Sequence, residues 1–242
     1  MAAPPEGPHP AHPCSEHPHP ERKRRQLYGR RKGPKFSAHQ QSLIDTLLPQ
    51  LLLTPETGRD PRDYFAVPLH DIWLEVGFGG GEHLLAQAHA HPDVGLIGAE
   101  PYLSGVAKLL SKLEPAPVPN IRLYTDDARD IIEALPDAVL GRVFILFPDP
   151  WPKARHHKRR FVQMELLDQL ARVMRPGAAL RFASDDADYL AWTLERIMAH
   201  PAFEWTAASA ADWKIRPADQ PPTRYEAKAL HGPPVYLSAR RL

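Results

Sequence analysis

Residues 71–84 read DIWLEVGFGGGEHL, and this stretch decides the fold. Ile72, Trp73, Leu74 and Val76 make a short apolar run of the kind that forms a strand buried on both faces. Gly77, Gly79 and Gly81 break that run, and Glu82 opens an amphipathic stretch that continues to Ala90. A strand that passes through a glycine turn into a helix is the first half of a βαβ unit. Four more apolar runs follow: GLIGAE (95–100), IRLYTDD (121–127), RVFILFPD (142–149) and ALRFASD (179–185). Between them the periodicity predicts helices over Ser104–Leu113, Ala128–Ala134 and Arg160–Met174, with a turn at Pro176-Gly177. Strands joined by helical crossovers form a parallel sheet with right-handed connections, so the expected class is α/β with a doubly wound, Rossmann-like sheet. After a helix around Leu190–Ile197, FEWTAA (203–208) and VYLSARRL (235–242) are expected to pair antiparallel at the C-terminal edge.

Toward the N-terminus the character changes. Leu43, Ile44, Leu47, Leu48, Leu51 and Leu52 form a helical stripe that Pro49 should kink or divide. Residues 1–20 alternate Pro, His and small residues, have little apolar surface and are expected to be disordered. Residues 21–36, ERKRRQLYGRRKGPKF, are basic with Tyr28 and Phe36 interleaved, which suits an arm that holds phosphates and stacks on bases, or equally a solubilising linker. The expected division is therefore an arm over residues 1–36 and a single domain over 37–242.

The chain of 242 residues carries a formal net charge of +1, which at first argues against a nucleic-acid partner. That average hides a contrast. Residues 1–36 hold 8 of the 30 Lys+Arg and 3 of the 29 Asp+Glu, which leaves 22 basic against 26 acidic residues in the body. The lone Cys14 excludes an internal disulfide framework and points to a reducing, cytoplasmic setting. No apolar run approaches the roughly 20 residues needed to span a bilayer, and no secretory core opens the chain, so no membrane partner is expected. The tail histidines lack the spacing of a metal site, and no metal is expected.

Ligands of open α/β sheets bind outside the carboxyl ends of the strands, and here each such end carries an acid or a glycine turn. Gly77 and Gly79 allow positive φ and close approach of a ligand to the backbone. The spacing E-x-G-x-G-x-G differs from the dinucleotide pattern G-x-G-x-x-G, whose third glycine would fall at Glu82. Glu75, before the turn, would repel a pyrophosphate but suits a cationic amino-acid moiety such as that of S-adenosylmethionine. Glu100 is placed to accept from ribose hydroxyls and Asp127 from an adenine amino group. Taken singly, each acid is more often a helix N-cap than a ligand group; three in register at successive strand ends favour a ligand. Residues 144–161, FILFPDPWPKARHHKRRF, set prolines on both sides of Asp149, which can pair with the donor edge of guanine while Trp151 packs on a base. Lys153, Arg155, Lys158, Arg159 and Arg160 follow at the expected start of a helix, where the helix dipole disfavours cations, so the spacing predicts phosphate binding. Ser184-Asp185-Asp186 reads as a cap for the next helix, and TRYE (223–226) falls in the last connection.

Taken in order, LEVGFGGGEHL, GAEP, TDDA, FPDPWPKARHHKRRF, RPG, ASD and TRYE resemble the bacterial tRNA (guanine-N7-)-methyltransferases, from about Tyr28 to the end. The resemblance implies a class I methyltransferase fold, S-adenosyl-L-methionine as methyl donor, and a guanine in the variable loop of tRNA as acceptor. It implies cofactor contacts at Glu75, Glu100, Asp127 and Asp149. It implies tRNA contacts at Lys153, Asp185 and Thr223, Arg224, Tyr225 and Glu226, with Arg224 and Tyr225 at positions where the family varies.

Guanine N7 already presents a lone pair, so transfer depends mainly on alignment and on offsetting the charge the base gains. Asp149 is the expected catalytic residue, orienting the base. A nicotinamide-dependent oxidoreductase would share the sheet but not the loop spacing. A non-catalytic RNA-binding module would leave the acids without a purpose. A methyltransferase acting on another RNA or on a non-RNA substrate is the nearest rival, because fold does not fix function. The sequence does not choose between monomer and homodimer.

Overall fold

The computed structural model describes residues 27–28, 33, 35–228 and 230–242. The expectations for residues 1–20, the tail histidines and most of the basic arm lie outside these residues. The described chain begins with α1 (Ala38–Thr46), whose start is a capping box in which Ser37 Oγ accepts from Gln40 N and the Gln40 side chain accepts from Ser37 N. Such a cap contributes about 1 kcal/mol. Pro49 falls in the first turn of a separate short helix, α2 (Leu48–Leu51), where its missing N–H has no partner to lose. The apolar stripe is thus divided where the proline predicted.

Seven strands then form one sheet: β1 (Asp71–Val76), β2 (Val94–Ala99), β3 (Ile121–Tyr124), β4 (Leu140–Leu146), β5 (Met174–Ser184), β6 (Phe203–Trp205) and β7 (Val235–Arg241). Their spatial order is β3-β2-β1-β4-β5-β7-β6. β1 to β5 are parallel, and β7 runs antiparallel to both β5 and β6, so the antiparallel C-terminal edge is present. The order reverses between β1 and β4, which opens the crevice for a ligand there.

Strand alternation feeds two cores. Ile72, Leu74, Val143, Ile145, Leu180 and Phe182 pack on one face with α5 (Ala128–Ala134), α6 (Met164–Val173) and α7 (Ala187–Ala199). Trp73, Phe144, Leu146 and Ala183 pack on the other with α3 (Glu82–Ala90) and α4 (Leu103–Leu113). Continuous burial along β2, residues 71–75 of β1 and residues 143–146 of β4 is why these strands read as apolar runs rather than as alternating ones.

Two expectations are corrected. The helix foreseen over Arg160–Met174 is α6, and it starts only at Met164. Arg160 takes ψ 136 and Gln163 ψ 164, both non-helical, while the Gln163 amide donates to the carbonyls of His157 and Arg160 at 2.9 Å. Arg155, Lys158 and Arg159 therefore sit on a separate 3-10 turn, Ala154–Arg159, flanked by Lys153 and Arg160, and the dipole argument for the cations falls. Pro176-Gly177 does not separate a helix from a strand. It is a bulge inside β5: Leu140 pairs with Met174, yet Arg142 pairs with Ala179, and Gly177 absorbs the distortion at φ +83.

Among the described residues no helix is long and apolar enough to cross a membrane, and no group of three or more His, Cys, Asp or Glu is arranged to hold a metal ion.

Candidate active site at the strand ends

A cavity of about 990 Å³ opens at the carboxyl ends of the parallel strands. Gly77, Glu100, Asp127 and Asp149 all line it. Gly77 has φ +71, and a Cβ there would meet nothing within 4 Å, so the backbone is bare toward the cavity. α4 closes over the turn from the side, because a Cβ on Gly105 would come within 2.3 Å of the Gly79 carbonyl oxygen. Glu100 binds the turn together: its Oε2 accepts from Gly79 N at 2.8 Å and its Oε1 from Tyr102 N at 2.8 Å. Burial pushes the Glu100 carboxyl above its ordinary range, and the two backbone donors oppose that rise. Asp127 is the N-cap of α5, accepting from Arg129 N at 3.0 Å and from the Arg129 guanidinium. Asp127 caps the helix and lines the cavity at once. Ala128, Ile132 and Leu166 supply an apolar wall beside it.

Asp149 stands exposed between its two prolines. The residues just outside them, Phe147 and Trp151, have φ +51 and +48, a left-handed conformation that costs a non-glycine residue about 1–3 kcal/mol. Phe147 N donates to the Ala183 carbonyl at 2.7 Å, which pins one end of the loop to β5. At the other end Trp151 is half-buried, with the Arg159 guanidinium 5.0 Å from its ring centre and 4.6 Å from that of Tyr28. Leu27 and Tyr28, from the arm, complete the cavity wall. Cation and rings hold each other in place there, an arrangement worth about 0.5–2 kcal/mol per contact.

Other expected site residues are placed differently. Glu75 does not line the large cavity. Strand alternation turns it to the Trp73 face, away from α5 and α6, where it is buried and its Oε2 lies 2.8 Å from His83 Nδ1. Gly79 likewise acts through its N–H on Glu100 rather than as cavity wall. Arg160, expected on phosphate, has a side chain 0% exposed and an ion pair with Asp188. Arg160 borders the cavity, but its side chain turns inward out of solvent, which does not fit the expected phosphate contact. Lys153 is exposed at the head of the 3-10 turn, outside the cavity wall, whereas Lys158 and Arg159 line it.

Asp186 caps α7 through Tyr189 N at 2.8 Å, while the Asp185 carboxylate accepts from His231 N at 3.1 Å. The TRYE run is itself a capping box at the head of α8 (Arg224–Lys228). Glu226 N donates to Thr223 Oγ1 at 3.1 Å, and Thr223 N donates to Glu226 Oε2 at 3.4 Å. Glu226 Oε1 also accepts from Arg216 and from the Tyr236 hydroxyl, each at 2.8 Å. Burial and this carboxylate push the Tyr236 phenol upward. Thr223 is buried beside Glu75, Gly77 and Phe147 around a small void on the α3 side of the glycine turn. Arg224 is exposed, and the Tyr225 side chain lies outside the described residues. His83 and Arg129 were missed in the sequence, because neither stands at a recognisable motif spacing from its partner.

A family model described as "Putative methyltransferase" matches residues 70–235. A relative from Rhodospirillum rubrum named tRNA (guanine-N(7)-)-methyltransferase is 53% identical over 223 residues, covering 89% of this chain and 87% of its own. The chain belongs to the tRNA (guanine-N7-)-methyltransferase family. A second member, from Chelativorans sp., is 46% identical and covers 93% of this chain and 98% of its own. The solved structure of the 16S rRNA methyltransferase KamB superposes with TM-score 0.53 at 16% identity over 77% of this chain and 94% of that one, a likeness of fold. Membership sets aside the oxidoreductase and the non-catalytic binding module. For a methyltransferase of this family, the cavity offers acids from the ends of three strands, Glu100, Asp127 and Asp149, together with Lys158 and Arg159 in the same wall.

Proposed function

We propose that the protein transfers a methyl group from S-adenosyl-L-methionine to N7 of a guanine in the variable loop of tRNA, in the cytoplasm. The single observation that carries this reading is the convergence of Gly77, Glu100, Asp127 and Asp149 on one cavity in a chain 53% identical to a curated tRNA (guanine-N(7)-)-methyltransferase. The donor set fits the cofactor. The bare backbone at Gly77 leaves room for close approach, Glu100 suits ribose hydroxyls, and Asp127 beside the apolar wall of Ala128 and Ile132 suits an adenine. When bound, S-adenosylmethionine supplies an electrophilic methyl group on a sulfonium.

The chain's own residues then orient and neutralise. Asp149, at the tip of a proline-clamped loop, accepts hydrogen bonds from the donor edge of guanine and offsets the positive charge that N7 acquires. It does not need to take a proton. Lys153, Lys158 and Arg159 hold phosphates next to that base. Asp185, Thr223 and Glu226 make their tRNA contacts by exchanging the internal partners described above. Incubation of the purified protein with labelled cofactor and unmodified tRNA, followed by nucleoside analysis, tests the reading. The expected product is 7-methylguanosine. Label in another nucleoside, or in protein only, would turn the reading to the rival substrates.

A further inference from the structure

Among the described residues Arg160 heads the largest fully buried side chains, an uncommon place for a guanidinium. Its Nε donates to the Pro150 carbonyl at 2.8 Å, and a terminal nitrogen donates to Asp188 Oδ2. The guanidinium carbon lies 5.0 Å from the ring centres of both Tyr189 and Trp192. These partners belong to two separate elements. Pro150 follows Asp149 directly and precedes Trp151, whereas Asp188, Tyr189 and Trp192 lie in the first turns of α7.

We propose that Arg160 is a positioning residue that clamps the Pro148-Asp149-Pro150 loop to α7 and so sets where the Asp149 carboxylate stands, and that it makes no contact with tRNA phosphate. The inference rests on the role given to Asp149 above. The loop needs such a clamp, because strained backbone at Phe147 and Trp151 persists only where surrounding contacts over-determine it. A guanidinium suits the task where an ammonium does not: its planar, widely spaced N–H groups reach a carbonyl and a carboxylate at once while its face lies against two rings.

The test uses the full chain, with Arg160→Lys and, as a milder change at the other end of the clamp, Asp188→Asn. Both are made in the wild-type and the Asp149→Ala background. Single-turnover methyl transfer, tRNA affinity across a salt series and cofactor affinity are measured on each. In the wild-type background Arg160→Lys is expected to slow transfer by about a hundredfold, the scale of a misplacement near 1 Å, and Asp188→Asn to slow it less. Neither changes tRNA affinity or its salt slope. In the Asp149→Ala background neither substitution slows transfer further, since both act through the missing carboxylate.

A phosphate contact predicts the opposite. Charge-conserving Arg160→Lys would stay near wild type, and Arg160→Met would lower the salt slope by about 0.7–0.9. That pattern, or equal losses in both backgrounds, overturns the inference while leaving the methyltransferase reading intact. A wild-type protein that forms no 7-methylguanosine overturns both.

Discussion

His83 is enclosed by the protein, 1% exposed at its side chain, with Nδ1 2.8 Å from a Glu75 oxygen that is itself buried. Gln87 fixes where the ring proton sits. Its Nε2 donates to the Asp219 carbonyl at 2.6 Å, so the second hydrogen of the same nitrogen faces His83 Nε2 at 3.3 Å, and that ring nitrogen accepts. The ring proton is therefore on Nδ1, which donates to Glu75. Replacing His83 with leucine leaves Glu75 facing hydrocarbon. A lost hydrogen bond to a buried charged group costs about 1.5–3 kcal/mol. In a chain of this size each kcal/mol moves Tm by about 2–4 °C, so Tm should fall by about 3–12 °C. His83→Asn returns an N–H near the Nδ1 position and should fall less. Scanning calorimetry of the three proteins at one pH, with and without saturating S-adenosylmethionine, reads the effect. A leucine variant within about 1 °C of wild type would refute the reasoning, because it would mean that Glu75 has another partner ready.

Asp149→Ala should lower the transfer rate by about a hundredfold while cofactor binding, measured by calorimetric titration, is largely kept; near-normal turnover would remove Asp149 from the mechanism. Arg159→Ala should weaken tRNA binding and reduce the slope of log affinity against log salt by about 0.7–0.9, and an unchanged slope would leave Arg159 with its ring-stacking role alone. Burial raises Glu100 above its ordinary 4.5. Between that value and the raised one, the unfolded chain has released a proton that the folded chain still holds, so stability of the cofactor-free protein falls as pH rises through this window. Ribose hydroxyls donate to the ionised form, and cofactor binding in the same window should release protons and tighten with rising pH. Titration in two buffers of different ionisation enthalpy reads this directly, and proton uptake would contradict it.

The sheet was legible because its central strands are buried on both faces, which leaves uninterrupted apolar runs such as VFIL (143–146). The acids were legible as a set because parallel strands deliver their carboxyl ends to one rim. What the sequence could not carry was direction. Glu75 and Val76 are neighbours, yet alternation sends Glu75 to the α3 face and leaves Val76 in the cavity wall. Arg159 and Arg160 read alike in a basic string and both border the cavity, yet Arg159 lies across Tyr28 and Trp151 while the Arg160 side chain is wholly buried and paired with Asp188. Tertiary partners far along the chain decide such cases: Asp188 for Arg160, and His83 with Gln87 and Asp219 for Glu75. TRYE carried a capping-box pattern in plain view, T-x-x-E, but without knowing that a helix starts at Arg224 the local reading had no anchor.

Those distant partners also change what a net charge of +1 means. Part of the basic string is not surface charge at all, since Arg160 is neutralised by Asp188 within the fold, and Arg129 is paired with Asp127 at the cavity edge. The cations left exposed or at the cavity wall, Lys153, Arg155, Lys158 and Arg159, cluster on one short turn next to Asp149. If that turn holds a phosphate, as proposed above, the attached base is carried toward the proline-clamped carboxylate. The same backbone segment thus joins the two contacts, so tRNA binding and base placement should be lost together when the turn is displaced, and separately when Asp149 or Arg159 alone is replaced.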